Sequence, residues 1–529
     1  MLGAFQYSIS SLETGGGSVP GSKTRFPAQT AVTSGMHRLS FIPLLTGLAW
    51  LTACSPPPSK PNIIFILADD LGYGEVGCFG QKKIKTPHLD ALAAAGMKLT
   101  RHYAGSPVCA PSRGVFLTGK HTGHAYIRIN DETAERGDVW KDPALEGQRP
   151  LLDSEVTIAE ALKTVGYRTG FIGKWGLGWP GSQGDANKQG FDHFYGYICQ
   201  RIAHNYYPDH LHRNGERVAL RNPYYPGRGK LAKGADPHDP ASYEAFGGKD
   251  YAPDLMVEEA EAFIRQSSDQ PFFLTFATPV PHLALQVPQD SLDEYEGAFE
   301  ETPYSGNKGY MPHQKPRAAY AAMITRMDRD IGRLLKALED TGQADNTLVV
   351  FSSDNGPSWV GGVDWEFFES RGGLRGRKAQ LYEGGIRVPT IVRWPGKVPP
   401  GTESAAVSAF WDWMPTFMDA AEVSLTLDKM GGGQVDGISL LPALQNPTES
   451  WPSRTLYWEH NRQWQAMLHE NWKLLRKNQK SAWELYNLAE DPAEERDLAS
   501  ENPLKVKELS ELLFQQRVES KLHPLKKST

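Results

Sequence analysis

Short apolar runs that alternate with amphipathic segments constrain the fold of this chain more than any other feature of its sequence. Each run is rich in β-branched or aromatic residues and has the length of a buried strand; the runs span 62–67, 168–172, 271–277, 347–352 and 388–393. Apolar side chains at three- and four-residue spacing predict helices over 316–338 and near 88–95, 155–165 and 254–265. This alternation predicts an α/β fold with a large mixed, mostly parallel central sheet flanked by helices.

The pattern changes near residue 450. Short aromatic strands separated by turn residues are predicted over 455–459, 464–468, 472–476 and 483–487, followed by a helix near 504–519. We therefore expect a smaller C-terminal antiparallel sheet with a packed helix. On this basis the chain divides into a main domain over 60–445 and an α+β subdomain over 450–529.

Residues 1–53 are predicted to be a leader rather than part of the fold. An apolar stretch over 41–50 is too short to span a bilayer as a helix, and it ends in Leu-Thr-Ala before Cys54. This arrangement resembles a bacterial lipoprotein signal in which Cys54 is lipidated; Met36 would then be the true start, and 1–35 an over-long gene start. We expect an exported protein, in the periplasm or at the cell surface, that meets the membrane only through its lipid anchor. An ordinary signal peptide or a disordered leader is the alternative.

Composition excludes two classes of protein. Lysine and arginine total 56 against 62 aspartates and glutamates, so the chain lacks the basic footprint of a nucleic-acid binder. Four cysteines in 529 residues are too few for a disulfide scaffold, and the sequence does not decide whether Cys78 and Cys199 pair. Polar loops rich in Gly, Pro and Tyr are predicted over 120–150, 200–250 and 285–315, and such loops usually shape a binding site.

Polar residues follow three of the predicted strands. Asp69 and Asp70 come after the first run, Asp354 and Asn355 after the fourth, and His282 after the third. Ligands bind beyond the carboxyl ends of strands in open α/β sheets, so these side chains are expected to meet. Three clustered carboxylates are unfavourable without a cation, and an all-oxygen set suits Ca²⁺ or Mg²⁺. The alternative is that each pair caps a helix or forms an Asx turn.

The segment Cys-Ala-Pro-Ser-Arg-Gly at 109–114, followed by Leu-Thr-Gly-Lys at 117–120, carries the strongest signal in the chain. A single cysteine of an exported protein without an obvious pairing partner is itself a candidate reactive group. The string resembles the signature of the type I sulfatases, C-x-P-S-R followed by L-T-G. That resemblance implies an alkaline-phosphatase-like fold. It also implies that a formylglycine-generating or sulfatase-maturating enzyme oxidises Cys109 to formylglycine, the aldehyde that carries the catalysis.

The resemblance extends over roughly residues 60–520, with further blocks in the family's order at 61–74, 173–175, 281–282, 354–356 and 374–387. Residue by residue, it implies that one Ca²⁺ is held by Asp69, Asp70, Asp354, Asn355 and the modified Cys109. It implies that the sulfate is surrounded by Arg113, Lys174, His282 and Lys378. Taken singly, either lysine could be a solvated surface residue and the histidine a satisfied buried one. These residues and the cysteine string occur along the chain in the same order as the motifs of the family, and this agreement favours a sulfate site.

The chemistry expected of such a site is hydrolysis of a sulfate ester. One hydroxyl of a hydrated aldehyde attacks sulfur, and loss of the proton of the second hydroxyl expels sulfate. A divalent cation and fixed positive side chains stabilise charge on the sulfate oxygens. His282 can protonate the departing alcohol.

One position departs from the family pattern. Many sulfatases carry a histidine two residues after the lysine at 174, where this chain has Gly176. His204 is predicted to replace it or to contact substrate. His124 and Arg128, just after the cysteine string, are candidate sugar contacts.

We therefore expect a catalytic domain that cleaves sulfate monoesters from a sulfated carbohydrate. One alternative is a phosphoesterase of the same superfamily, which would use a serine or threonine nucleophile and more metal ligands. The other is a non-catalytic surface lipoprotein that binds sulfated glycan, and Gly176 is the one feature in its favour.

Overall fold

A computed structural model describes residues 60–267, 269–424, 431 and 433–526. The predicted leader, including Cys54, lies outside the described residues. Among the residues that the structure describes, every helix is too short or too polar to span a bilayer. Cys78, Cys109 and Cys199 are all free cysteines.

A ten-stranded sheet forms the centre of the protein, in the order β11-β2-β10-β9-β1-β8-β4-β5-β6-β7. Its strands are β1 (Asn62–Asp69), β2 (Met97–Leu99), β4 (Arg168–Lys174), β5 (His193–Tyr197), β6 (His210–Arg213), β7 (Glu216–Ala219), β8 (Phe272–Pro281), β9 (Thr347–Ser353), β10 (Ile391–Arg393) and β11 (Thr402–Ser404). The five strands from β9 to β5 run parallel, and the pairs β9–β10, β10–β2, β5–β6 and β6–β7 are antiparallel. The predicted mixed, mostly parallel sheet is confirmed.

The central strand β1 shows why the core strands are readable from sequence. It lies between β8 and β9, so that Ile64 pairs with Leu274 on one side and with Val349 on the other. All eight of its residues are buried. A parallel strand covered by helices on both faces needs apolar residues at successive positions, which produces a continuous apolar run.

Helices cover both faces of this sheet. They are α1 (Pro87–Ala94), α2 (Cys109–Thr118), α3 (Ile158–Lys163), α4 (Ala252–Arg265), α5 (Gln289–Asp293), α6 (Pro316–Asp340), α7 (Glu383–Ile386), α8 (Trp413–Ala420), α9 (Leu441–Gln445) and α10 (Pro503–Gln515). The predicted long helix is confirmed in α6, which buries its apolar stripe. Helix α3 begins later than predicted, because the side chains of Thr157 and Glu160 form a capping box.

Several elements differ from the sequence predictions. The strand expected over 388–393 is only β10, because Pro389 has no amide proton to donate to a neighbouring strand. The hairpin of β6 and β7 lies within a segment predicted as loop. A two-residue pair, β3 (His102–Tyr103) with β12 (Ser408–Ala409), was also not predicted.

The C-terminal antiparallel sheet contains β13 (Thr455–His460), β14 (Trp464–His469), β15 (Trp472–Arg476) and β16 (Glu484–Asn487), in that order. Helix α10 packs on it through Leu509 and Leu513. Buried polar contacts join this sheet to the segments around α2 and α7: the indole of Trp458 donates to Ala104 O at 2.9 Å, and Lys473 pairs with Glu383 at 2.9 Å. The expected antiparallel sheet and helix are confirmed, and the domain boundary near 445–450 stays a prediction.

Candidate active site

Polar residues lie at or just after the ends of four neighbouring parallel strands, along one edge of the central sheet. From β9 to β4 these residues are Asp354 and Asn355, Asp69 and Asp70, His282, and Lys174. All of them are buried. Because the carboxyl ends of parallel strands meet at one edge, residues far apart in sequence form a single cluster.

Cys109 lies at the first position of α2, facing this cluster. Its Sγ is 3.4 Å from Asp69 Oδ1, 3.9 Å from Asp70 Oδ1 and 3.5 Å from Lys378 Nζ. Burial, together with the negative charge of Asp69, raises the pKa of the Cys109 thiol to about 12. An unmodified thiol here is therefore protonated at neutral pH and a poor nucleophile.

The backbone turns at Asp70 so that two consecutive aspartates face the same cysteine. Side chains on a strand alternate between faces, and β1 ends at Asp69. Asp70 has a φ of 66°, in the left-handed region, where its amide donates to Asp354 Oδ1 at 3.1 Å. Such backbone strain in a residue other than glycine is characteristic of functional sites.

Three cations match the three carboxylates; Arg113 and Lys174 are buried, and Lys378 is partly buried. Lys174 forms an ion pair with Asp69, Lys378 Nζ lies 2.7 Å from Asp70 Oδ2, and Arg113 Nη1 lies 3.1 Å from Asp354 Oδ2. Burial alone would raise the pKa of Asp69, but the charge of Lys174 and its neighbours outweighs burial and holds that pKa below its ordinary value.

The donor set fits a hard divalent cation. Asn355 Nδ2 donates to Asp70 Oδ1 at 2.7 Å, whereas Asn355 Oδ1 is buried and has no hydrogen-bond partner within the described ranges. Burial, together with the carboxylate of Asp69, raises the pKa of Asp354 well above its ordinary value. An orphaned carbonyl oxygen beside crowded carboxylates is the arrangement that Ca²⁺ satisfies.

All three nitrogen atoms of the Arg113 guanidinium donate hydrogen bonds, which hold the group in one position. Besides Asp354, it donates from Nε to Trp175 O at 2.9 Å and from Nη2 to Gln200 Oε1 at 2.7 Å. Gly176 faces this network with a φ of +68°, and a β-carbon there would lie 2.6 Å from Gln200 Cγ and 2.9 Å from Arg113 Nη2. The space that a histidine side chain would need at position 176 is therefore occupied.

His204 lies beside His282. The two imidazole rings stack at 4.5 Å with an interplanar angle of 7°. His282 Nδ1 donates to Leu283 O at 2.7 Å, which leaves Nε2 facing Asp70 Oδ2 at 3.6 Å. Burial, with the charges of Lys378 and Lys174, lowers the pKa of His282 to about 4. The ring of Tyr310 lies edge-on to both histidines, at 5.3 Å and 5.8 Å.

The structure does not bring His124 and Arg128 to the Cys109 cluster. Arg128 is 3% exposed, and its guanidinium donates to Glu459 and to the carbonyls of Ala125 and Val518. His124 Nδ1 lies 2.8 Å from Asp436 Oδ1. Within the described part of the chain these contacts tie the segment after α2 to its surroundings, and a sugar contact by either residue stays a prediction.

Two residues of the site, Gln200 and Tyr310, were not predicted from the sequence. Both lie in or beside segments predicted only as binding-site loops, and neither belongs to a motif. The signal available was the loop composition, which identifies a region and not a residue.

Comparison with known proteins gives a consistent result. The family model Sulfatase matches residues 61–423, and the model N-sulphoglucosamine sulphohydrolase, C-terminal, matches residues 376–521. The chain is 29% identical to N-acetylgalactosamine-6-O-sulfatase of Bacteroides thetaiotaomicron, covering 89% of this chain and 98% of the relative. It is 32% identical to human arylsulfatase A, covering 78% and 73%. The crystal structure of Ps i-CgsB in complex with k-i-k-neocarrahexaose is similar with a TM-score of 0.67 and 26% identity, over 87% of this chain and 94% of that one.

Proposed function

The chain belongs to the sulfatase family and is a sulfuric ester hydrolase, and we propose that it acts through a formylglycine made from Cys109 with one Ca²⁺ bound beside it. The observation that carries the proposal is the environment of Cys109. Its Sγ lies within 4 Å of two carboxylates and a lysine ammonium, at the edge where four strands end. The thiol itself is unsuited to attack because its pKa is raised to about 12, chiefly by burial.

The residues that would hold the ion are Asp69, Asp70, Asp354 and Asn355, with the modified side chain at 109. The ion would polarise the sulfate, and the aldehyde hydrate would supply the attacking hydroxyl. The orphaned Asn355 Oδ1 supports this set.

The remaining side chains have separate tasks. Arg113, Lys174 and Lys378 place fixed positive charge where the sulfate oxygens would lie, which favours the transition state because no reorganisation is needed during reaction. His282 presents Nε2 to the site, since Nδ1 donates to Leu283 O, and Nε2 of the neutral ring therefore carries no proton. The ring would have to take up a proton at Nε2, which the negative charge of a bound sulfate ester favours, before it passes that proton to the leaving alcohol. His204, stacked on this ring, is a candidate for orienting it or for contacting substrate.

We propose a sulfated carbohydrate as the substrate. The relative from Bacteroides thetaiotaomicron is named for N-acetylgalactosamine 6-O-sulfate, and the similar crystal structure contains a neocarrahexaose. The polar, aromatic loops that surround the site fit the same class of substrate.

The one feature that favoured a non-catalytic glycan-binding protein has another explanation. Gly176 suggested a degenerate enzyme, but Gln200 and Arg113 fill the space beside it. Glycine at this position leaves room for the hydrogen bond between Arg113 and Gln200, so the missing histidine is not evidence for an inactive site.

The test is the mass of the tryptic peptide 102–113 from protein isolated from its native host, combined with turnover of 4-nitrophenyl sulfate. We expect the mass of formylglycine at Cys109, and loss of turnover in Cys109→Ala. Cys78→Ala, at a half-buried free cysteine, is the matched control and should keep both the modified peptide and turnover. An unmodified thiol in active protein, or turnover by Cys109→Ala, would refute the proposal.

Export and lipid anchoring also remain proposals, based on the leader alone. Cys54→Ser should release the protein from the membrane fraction of its host. Retention of the Cys54→Ser protein in that fraction would contradict the lipid anchor.

A further inference from the structure

We propose that Arg228 binds a second anionic group of the substrate, either another sulfate ester or a carboxylate, near the ester that is cleaved. The inference rests on the proposed function of the same site, because it concerns what the sulfated sugar carries besides its scissile sulfate. It assigns a specificity residue to the loop over 226–229.

This loop lies between two residues that contact the catalytic histidine. A β-carbon on Gly227 would lie 3.0 Å from His204 Cβ, so the loop backbone packs directly on that residue. On the other side, the amide of Gly229 donates to Tyr310 O at 3.5 Å. Arg228 is therefore inserted between His204 and Tyr310, whose rings both contact the imidazole of His282.

The guanidinium of Arg228 is held in a fixed orientation. Its central carbon lies 3.5 Å from the centroid of the Trp140 ring, and the Trp140 ring lies 5.9 Å from that of His204. Arg201 stacks on the same indole at 4.2 Å. Stacking on an aromatic ring orients the planar fork of an arginine without using its N–H donors, which stay available for a ligand.

The two arginines on Trp140 differ in their charge partners. Arg201 forms ion pairs with Glu132 at 2.5 Å and Asp138 at 2.6 Å. Arg228 is exposed, and among the residues that the structure describes its guanidinium has no hydrogen-bond or ion-pair partner. A positive charge that is oriented but not neutralised, beside a sulfate site, is suited to an anion.

The geometry of the ligand follows from that of the guanidinium. Two parallel N–H groups match two oxygens of a carboxylate or of a sulfate, and charge-assisted bonds of this kind are stronger than those to neutral hydroxyls. Burial lowers the pKa of His204, and the charge of Arg228 adds to that effect, as expected for a cation close to the site.

The experiment compares one ligand that has a single sulfate with two ligands that carry a second anion. Inhibition constants against 4-nitrophenyl sulfate turnover are measured for N-acetylgalactosamine 6-sulfate, N-acetylgalactosamine 4,6-disulfate, and the uronic-acid disaccharide of N-acetylgalactosamine 6-sulfate. The wild-type enzyme is expected to bind one of the two dianionic ligands about tenfold more tightly than the monosulfate. Preference for the disulfate identifies a second sulfate as the group, and preference for the disaccharide identifies a carboxylate.

Arg228→Gln should reduce this preference to about one, because the substitution removes the charge and keeps a polar side chain of similar length. The matched control is Arg221→Gln, since Arg221 is exposed on the same segment but already paired with Asp250 at 2.5 Å. Arg221→Gln should keep the wild-type ratio.

Two results would overturn the inference. The first is a wild-type enzyme without preference for either dianionic ligand. The second is an Arg228→Gln variant that keeps the wild-type ratio of inhibition constants, including the case in which it binds all three ligands more weakly by the same factor. If the wild-type enzyme released sulfate neither from 4-nitrophenyl sulfate nor from the sulfated sugars, the proposed function would fail instead, and calorimetric titration of the same three ligands would still test Arg228 without turnover.

Discussion

Replacing Gly176 with alanine tests whether the arginine network beside Cys109 depends on a missing side chain. Gly176 has a φ of +68°, and its added β-carbon would lie 2.6 Å from Gln200 Cγ and 2.9 Å from Arg113 Nη2. The conformational strain and the steric overlap are separate effects. The overlap falls on the two groups that form the 2.7 Å hydrogen bond between Arg113 and Gln200.

The expected loss of stability is the sum of two contributions. The left-handed conformation costs about 1–2 kcal/mol for a residue with a β-carbon. Overpacking a buried site adds roughly 1–3 kcal/mol, for a total of about 2–5 kcal/mol in the free energy of unfolding. Gly166→Ala isolates the first contribution, because Gly166 has a φ of +89° and no atom within 4 Å of its added β-carbon.

Activity should fall together with stability. Gln200 and Arg113 must move to admit the methyl group, and Arg113 holds Asp354 at 3.1 Å. A displacement of about 1 Å in such a group lowers kcat/KM by about 100-fold. For the same reason Gly176→His should not improve turnover, although many sulfatases carry histidine at this position.

The assay is urea unfolding of the variants together with kcat/KM for 4-nitrophenyl sulfate. Gly166→Ala should show the smaller loss of stability and normal turnover. The reasoning would be refuted if Gly176→Ala were as stable as Gly166→Ala and fully active, or if Gly176→His raised kcat/KM.

Three further predictions concern the ion, a buried lysine and a buried histidine. Dialysis against EDTA should lower Tm and turnover, and Ca²⁺ at a hundredfold excess over its Kd should restore about 3 kcal/mol of stability; no change in Tm would contradict a bound cation. Lys473→Met leaves the buried carboxylates of Glu383 and Glu494 without their shared cation and should reduce the free energy of unfolding by about 3–5 kcal/mol in urea titrations, whereas a loss below about 1 kcal/mol would contradict this. Burial lowers the pKa of His102 to about 3, against an ordinary 6.5. As the pH drops below 6.5, His102 binds a proton in the unfolded chain but not in the folded chain. The free energy of unfolding should therefore fall by at most about 1.4 kcal/mol per pH unit as the pH drops from 6.5 towards 3. His102→Asn should weaken this dependence between pH 7 and 5, and an identical slope in both proteins would show that another group causes it.

The fold could be predicted where a strand's own residues decide its burial. Strands β1, β8 and β9 are covered on both faces, so each is a continuous apolar run that is visible without knowledge of its neighbours. The short strands β2, β3 and β12 have two or three residues each and no pattern of their own. They exist because a partner strand supplies hydrogen bonds, which depends on the tertiary structure.

The site divides in the same way. Asp69, Asp70 and Cys109 belong to short sequence motifs whose residue types indicate metal binding and catalysis. That these side chains lie close together was predictable because parallel strands end at the same edge of the sheet. Gln200 and Arg228 belong to no string. Their roles follow from their neighbours, the guanidinium of Arg113 in one case and the indole of Trp140 in the other.

The sequence by itself determined the parallel sheet, the cysteine string and the carboxylates that follow the strands, because each is encoded in a few consecutive residues. The tertiary structure decided which cation neutralises which carboxylate and why position 176 is glycine. It also decided that His204 stacks on His282. These are contacts between segments distant along the chain, such as the bond from Asp70 to Asp354 across 284 residues. Distances and open space between such segments are set by how the whole core packs, and no local pattern encodes them.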